Sequence, residues 1–118
     1  LSEQAITKNI EEIFKNAKGR IIAATFASLL NRIQQLISLS QKYNRKVAIE
    51  GYSMRTNVEI ARKLGYFKIP RGILIKSKQA NNYSDNQITI ICTGAQGEDQ
   101  ASLMRIANKE HPYIKLKK

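Results

Sequence analysis

The residues best suited to chemistry in this chain lie in Gln87–Glu98, reading QITIICTGAQGE, where an apolar run opens into a loop holding Gly94 and Gly97. Glycines let backbone N–H groups close on an anion, and a helix starting behind the loop would add partial positive charge. The loop matches neither the P-loop pattern nor the dinucleotide spacing G-x-G-x-x-G, so nucleotide hydrolysis and NAD binding are unsupported. A tight turn needing positive φ at Gly94 or Gly97 would explain the same glycines without any ligand. Glu98 and Asp99 would suit the first turn of the expected helix by dipole and capping alone. Two earlier segments repeat the layout. Arg20–Ser28 (RIIAATFAS) and Lys46–Ser53 (KVAIEGYS) each run from apolar through small residues to a serine expected to cap the next helix. In a parallel sheet all these junctions would share the carboxyl edge, where ligands bind.

Other chemistry is thinly represented. The single histidine, His111, precedes Pro112, no His, Asp or Cys cluster has zinc spacing, and no serine or cysteine has a histidine at hand. The chain by itself is expected to catalyse nothing. Cys92 has no second thiol to pair with, ends an apolar run, and reads as a buried strand residue in a reducing compartment. Arg32, Arg55 and Arg105 are placed on helices behind the edge, where they could face a polyanion or simply be solvated. Phe26 and Tyr52 could stack on a base, although aromatics at strand ends more often pack on a neighbour.

The elements that must position these residues alternate. Ile6, Ile10, Ile13 and Phe14 recur at helical spacing behind Ser2, a potential cap. Ile21–Thr25 is continuously apolar, as in a central parallel strand. A helix follows over about Leu29–Tyr43, with Leu29, Leu30, Ile33, Leu36, Ile37 and Ser40 on one face. Val47–Glu50 reads as a strand and Met54–Leu64 as a helix stopped by Gly65. Ile69–Gly72 is a turn, Ile73–Ile75 a short apolar anchor and Lys76–Asn86 a polar connection. Ile88–Cys92 is the third strand, and Gln100–Ala107 is expected as a helix burying Ala101, Met104 and Ala107. Ile114–Leu116 resembles a strand just beginning. This predicts an α/β, three-layer, Rossmann-like domain with a mostly parallel sheet flanked by helices, as one domain over residues 1–118.

Composition adds a partner class. The 118 residues suffice for one core, and 20 Lys and Arg against 9 Asp and Glu give a net charge of +11. A polyanion is the matching partner, and a lysine-rich coding bias the bland alternative. No apolar stretch approaches a membrane span and no signal peptide opens the chain, so the expected location is the cytoplasm. The start at Leu1 and the cut-short final strand are expected of a domain excised from a longer protein.

Taken together, the segments resemble the beta-CASP domain inserted in metallo-β-lactamase nucleases of the ribonuclease J family. The resemblance is carried by Gly19–Ser28 with Arg32–Gln35, Arg45–Ala48, Gly51–Met54 with Asn57–Tyr66, Ile69–Pro70, and Cys92–Glu98 with Met104–Ala107 and His111. It implies an RNA-channel and lid domain of a zinc-dependent ribonuclease that works from the 5′ end and also cuts internally. No cofactor is expected in this chain; the implied zinc belongs to the metallo-β-lactamase domain of the same parent, which is one partner. Single-stranded RNA is the other, and a homo- or hetero-oligomer of the parent is left open. The resemblance and the edge position imply RNA or phosphate contacts at Ser28, Arg32, Ser53, Arg55, Gly94, Gln96 and Gly97. The family pattern has asparagine, histidine, serine and proline where this chain has Leu29, Asn31, Ala95 and Asp99. Each lost donor to a charged group weakens binding by roughly 1–3 kcal/mol. The alternative is therefore a non-catalytic RNA-binding or assembly module of a poorly active paralogue, with a small-molecule-binding domain ranked last.

Overall fold

The computed structural model describes residues 3–93, 102–106 and 114–116; Ser2, the glycine loop and His111 lie outside them. Helix α1 (Glu3–Asn16) buries Ile10 and Phe14, which stand four apart on one face. Strand β1 (Ile21–Thr25) leads to α2 (Leu30–Lys42), and β2 (Lys46–Ile49) leads to α3 (Tyr52–Lys63). Helix α3 stops where expected: Gly65 takes φ +81° and the Tyr66 N–H closes back on the Ala61 carbonyl at 2.8 Å. The apolar anchor forms a short strand, β3 (Leu74–Ile75). The polar connection after it winds into two 3₁₀ turns, Ser77–Asn82 and Asp85–Gln87, before β4 (Ile88–Thr93). Strands β5 (Ser102–Ile106) and β6 (Ile114–Leu116) complete the described chain.

The sheet runs β3-β2-β4-β1-β5-β6. Its first four strands are mutually parallel, so β4 is inserted between β1 and β2, whose connection through α2 passes over it. Strand β5 is antiparallel to β1, and β6 to β5. The predicted mostly parallel α/β sheet is therefore present. The predicted helix Gln100–Ala107 is not: Ser102–Ile106 is a strand, with Ala24 opposite Leu103 and Ile21 opposite Ile106. Spacing at 101, 104 and 107 suggested a helix, but β1 without β5 would leave a row of edge N–H and C=O groups, and pairing them outweighs weak local periodicity.

Register assigns the two sheet faces. Ile21, Ala23, Val47, Ile49 and Ile91 join Ile33, Leu36, Ile37, Met54 and Val58 in one core beneath the helices. Ser40 of α2 bonds the Leu36 carbonyl at 2.7 Å and the Thr89 hydroxyl at 2.9 Å, so the polar pair buried in this layer is satisfied. The alternating residues Ala24, Ala48 and Ile88 are buried on the other face, where the 3₁₀ turn beside β2 adds buried Ala80.

At the amino edge a buried arginine fastens the strand starts. Arg45, 3% exposed, donates to the carbonyls of Gly19 at 3.0 Å, Ile88 at 2.7 Å and Ala17 at 3.1 Å. Burial lowers its pKa to about 10, which leaves it cationic at neutral pH. Arg20 adds an ion pair to Asp85 at 3.1 Å and a bond to Asn81 at 3.3 Å, holding the 3₁₀ segment to the start of β1. No described helix is long and apolar enough to cross a membrane.

Candidate functional site

At the carboxyl edge β1 and β4 finish level and β2 stops two residues earlier. Thr25 pairs with Thr93, Ile49 pairs with Ile91, and the Glu50 N–H reaches the Ile91 carbonyl at 2.8 Å. Gly51 turns the chain from β2 into α3 with φ +100°, and a Cβ built there would stand 3.1 Å from the Thr93 hydroxyl. Only glycine fits that conformation easily, so the β2 turn and the end of β4 come close together. On the β1 side, the Leu29 N–H bonds the Phe26 carbonyl at 3.1 Å, making a tight turn before α2.

Neither serine caps its helix as expected. The cap of α2 is Leu29 and that of α3 is Gly51, and neither provides a side-chain hydrogen bond. The turn at Phe26–Leu29 delays the start of α2 past Ser28, whereas positive φ at Gly51 starts α3 before Ser53, leaving both serines exposed. Both helices also lack an acidic residue in the first turn, so their partial positive charge is uncompensated. The edge can therefore offer hydroxyl donors and the first-turn N–H groups of α3 to an anion, whereas at α2 the Leu30 N–H already donates to the Ser28 carbonyl at 3.0 Å. Half-buried Glu50 is the acidic residue at the end of β2.

The predicted contact residues separate. Ser28, Ser53 and Arg55 are exposed at or just behind the edge. Arg32 is only 7% exposed; its guanidinium donates to Gln35 at 2.5 Å, and Gln35 in turn donates to Thr7 of α1 at 2.7 Å. It is built into the α1–α2 packing instead of standing in solvent. Gly94, Gln96 and Gly97 lie outside the described residues. Arg105 stands opposite Ile22 on β5, not on a helix. Tyr52 is 78% exposed and Phe26 half-buried.

Two residues named in the sequence only as part of the resemblance, with no role assigned, carry structural weight. Asn57 donates from Nδ2 to the Ala27 carbonyl at 3.0 Å, tying α3 to the β1–α2 loop. Its signal was a polar residue beside the apolar stripe of Met54, Val58 and Ala61. Arg45 gave no local signal, since Asn44-Arg45-Lys46 reads as a solvated turn. Elsewhere Glu11 bonds Lys42 and accepts from the Tyr43 hydroxyl at 2.8 Å, which lowers the Glu11 pKa and raises those of Lys42 and Tyr43. Among the described residues no three His, Cys, Asp or Glu side chains gather as a metal-binding group.

A parallel four-strand core flanked by helices, with helix starts lacking side-chain caps and exposed serines at its carboxyl edge, defines a Rossmann-like domain. Residues 18–118 match the family model of the ribonuclease J beta-CASP domain, and the chain belongs to that family. It is 44% identical to ribonuclease J of Synechocystis sp. over 116 residues, covering 98% of this chain and 18% of that protein. Identity is 43% to ribonuclease J of Helicobacter pylori strain 26695, with 98% and 17% covered, and 42% to that of Mycoplasma pneumoniae, with 98% and 20% covered. The chain thus spans a fifth or less of these relatives' lengths.

Proposed function

We propose that this chain forms one wall and the lid of the RNA channel in a zinc-dependent ribonuclease of the ribonuclease J type, acting from the 5′ end and internally in RNA processing and decay. The observation that carries the reading is the carboxyl edge, where exposed Ser28, Ser53 and Arg55 accompany two helix starts without acidic or side-chain caps. Such an edge suits phosphate oxygens, and the net charge of +11 would draw a polyanion to it. Gln96, Gly94 and Gly97 belong to the same proposed contact by their place in the sequence after β4. Arg32 contributes indirectly, by holding α2 against α1. By the family resemblance, metal and hydrolysis belong to the metallo-β-lactamase part of the parent, and no catalytic step is derived from this chain.

The test compares binding of a 5′-monophosphorylated single-stranded RNA with its 5′-hydroxyl counterpart across a salt series. Preference for the phosphorylated end, reduced by Gln96→Ala and Ser28→Ala, supports end recognition here. Equal, weak binding of both RNAs that vanishes with salt would reduce this domain to a source of electrostatic attraction. One observation favours a second reading, a non-catalytic RNA-binding or assembly module. Leu29 occupies the cap of α2, and its side chain has no donor or acceptor to offer there. Normal RNA binding with no hydrolysis by the full-length protein would favour that module.

A further inference from the structure

We propose that the pocket at the amino edge, between the end of α2 and the turn before β3, binds a phosphate group at a site separate from the carboxyl edge. The pocket encloses about 330 Å³, within the usual range for small-ligand sites. Arg45, Lys46 and Arg71 bring three cations to its lining, Gln41 and Asn44 bring two amides, and no acidic residue lines it.

These cations lack counter-ions. Arg45 is 3% exposed, yet it is held by carbonyls only; no carboxylate pairs with it and its Nε–H has no partner among the described residues. A buried charge is ordinarily matched by an opposite one, because its desolvation otherwise goes uncompensated. The exposed Arg71 guanidinium makes no hydrogen bond or ion pair among the described residues, and half-buried Lys46 spends one N–H on the Gly72 carbonyl at 3.0 Å, leaving two. Asp85, whose carbonyl accepts from Arg45 at 3.4 Å, has its carboxylate on Arg20 at 3.1 Å. Between Glu59 and Asp85 the sequence holds six Lys and Arg and no acid, so the surroundings reinforce the positive field.

The carbonyls ending α2 would repel an anion, but they are occupied. Asn44 takes φ +59°, and the N–H groups of Asn44 and Arg45 close on the Gln41 and Ser40 carbonyls at 3.2 and 2.7 Å. Three cations suit an anion that carries more than one charge and several acceptor oxygens, which favours phosphate over a carboxylate.

The test labels the full-length protein with phenylglyoxal and reads modification of Arg71 by peptide mass spectrometry. The additions, at one ionic strength, are chloride, inorganic phosphate, or a 2′-O-methyl RNA with a 5′-hydroxyl end. Labelling of Arg71 is expected to slow roughly tenfold at a phosphate concentration about ten times the dissociation constant, while exposed Arg62 reacts as in chloride. Gln41→Glu adds a negative charge to the lining at an exposed position the fold tolerates, and is expected to weaken phosphate binding about tenfold. Protection by inorganic phosphate assigns the site to a free phosphate or small ester; protection by the RNA alone assigns it to an RNA backbone. Equal labelling of Arg71 under all three conditions overturns the site, as does protection that Gln41→Glu leaves unchanged. Preference for a 5′-monophosphorylated end reports the carboxyl edge, so either reading can fail without the other.

Discussion

Gly51→Ala tests the geometry on which the carboxyl edge depends. At φ +100° and ψ 135° an L-residue is strained whatever the surrounding space, at a cost of about 1–3 kcal/mol. The new Cβ would also meet the Thr93 hydroxyl at 3.1 Å, but Thr93 is exposed and can turn away, so this contact adds little. For a domain of this size 1 kcal/mol lowers the melting temperature by roughly 4 °C, so Gly51→Ala is expected to melt about 4–12 °C early. Thermal unfolding by circular dichroism measures it. Gly65→Ala is the comparison, because Gly65 has φ +81° with nothing within 4 Å of its built Cβ. If backbone conformation dominates, the two variants fall by similar amounts and Thr93→Ala does not rescue Gly51→Ala. A Gly51→Ala protein that melts with the parent, or one fully restored by Thr93→Ala, would refute the argument.

Arg45→Ala leaves the buried Gly19 and Ile88 carbonyls without their donor, at about 1–3 kcal/mol each, and urea unfolding should show a loss of roughly 2–6 kcal/mol. Arg45→Lys is expected to recover only part of this, since one ammonium lacks the guanidinium's spread of donors; a neutral Arg45→Ala would discard the carbonyl cage. Arg32→Ala, at a site 7% exposed, should lower the melting temperature more than Arg55→Ala, whereas Arg55→Ala should reduce the salt dependence of RNA binding; the reverse order would return Arg32 to solvent. Glu11 has a lowered folded-state pKa, so its contribution is present above the ordinary carboxylate value of 4.5 and fades as pH falls through the folded value. Lys42 is raised, so its share is present below its ordinary value of 10.5 and fades as pH climbs past that. Melting curves of the parent and Glu11→Gln should therefore differ at neutral pH and converge in acid; a constant difference would disprove the linkage.

What the sequence made legible is what local periodicity encodes. Unbroken apolarity at Ile21–Ala24 marked a parallel strand, the spacing of Ile33, Leu36 and Ile37 marked the helix over it, and Gly65 marked a helix end. The misread segment, Ser102–Ile106, is decided by a partner some eighty residues earlier, the open edge of β1, and nothing in its own spacing reports that vacancy. At the candidate site the edge itself was readable because small residues follow each apolar run, with a serine after the β1 and β2 runs. The helix starts were not, because one turn at Phe26–Leu29 and one positive φ at Gly51 move them past or before the serines. Arg32 and Arg45 show the same limit: burial of a cation is set by neighbours from other elements, Thr7 through Gln35 for one and the Gly19 and Ile88 carbonyls for the other.

The two ends of the sheet are treated oppositely, and the difference bears on function. At the amino edge, Arg45 and Arg20 satisfy carbonyls and bind the 3₁₀ segment, so their bonds there are spent on stability. At the carboxyl edge, α2 and α3 begin without a side-chain cap although Ser28 and Ser53 lie within two residues of the caps, Leu29 and Gly51. A serine at the Leu29 cap would contribute roughly 0.5–2 kcal/mol over a residue that cannot cap, whereas at Gly51 the positive φ favours glycine and a serine would be strained. The carboxyl edge thus forgoes a side-chain cap at α2 and takes a backbone-dictated glycine at α3, while the opposite edge is secured by arginine side chains. The conformation of Gly51 starts α3 ahead of Ser53 and brings the turn against Thr93, so damage there should lower stability and anion binding at the carboxyl edge together, whereas Arg45 variants should lower stability and leave that edge intact.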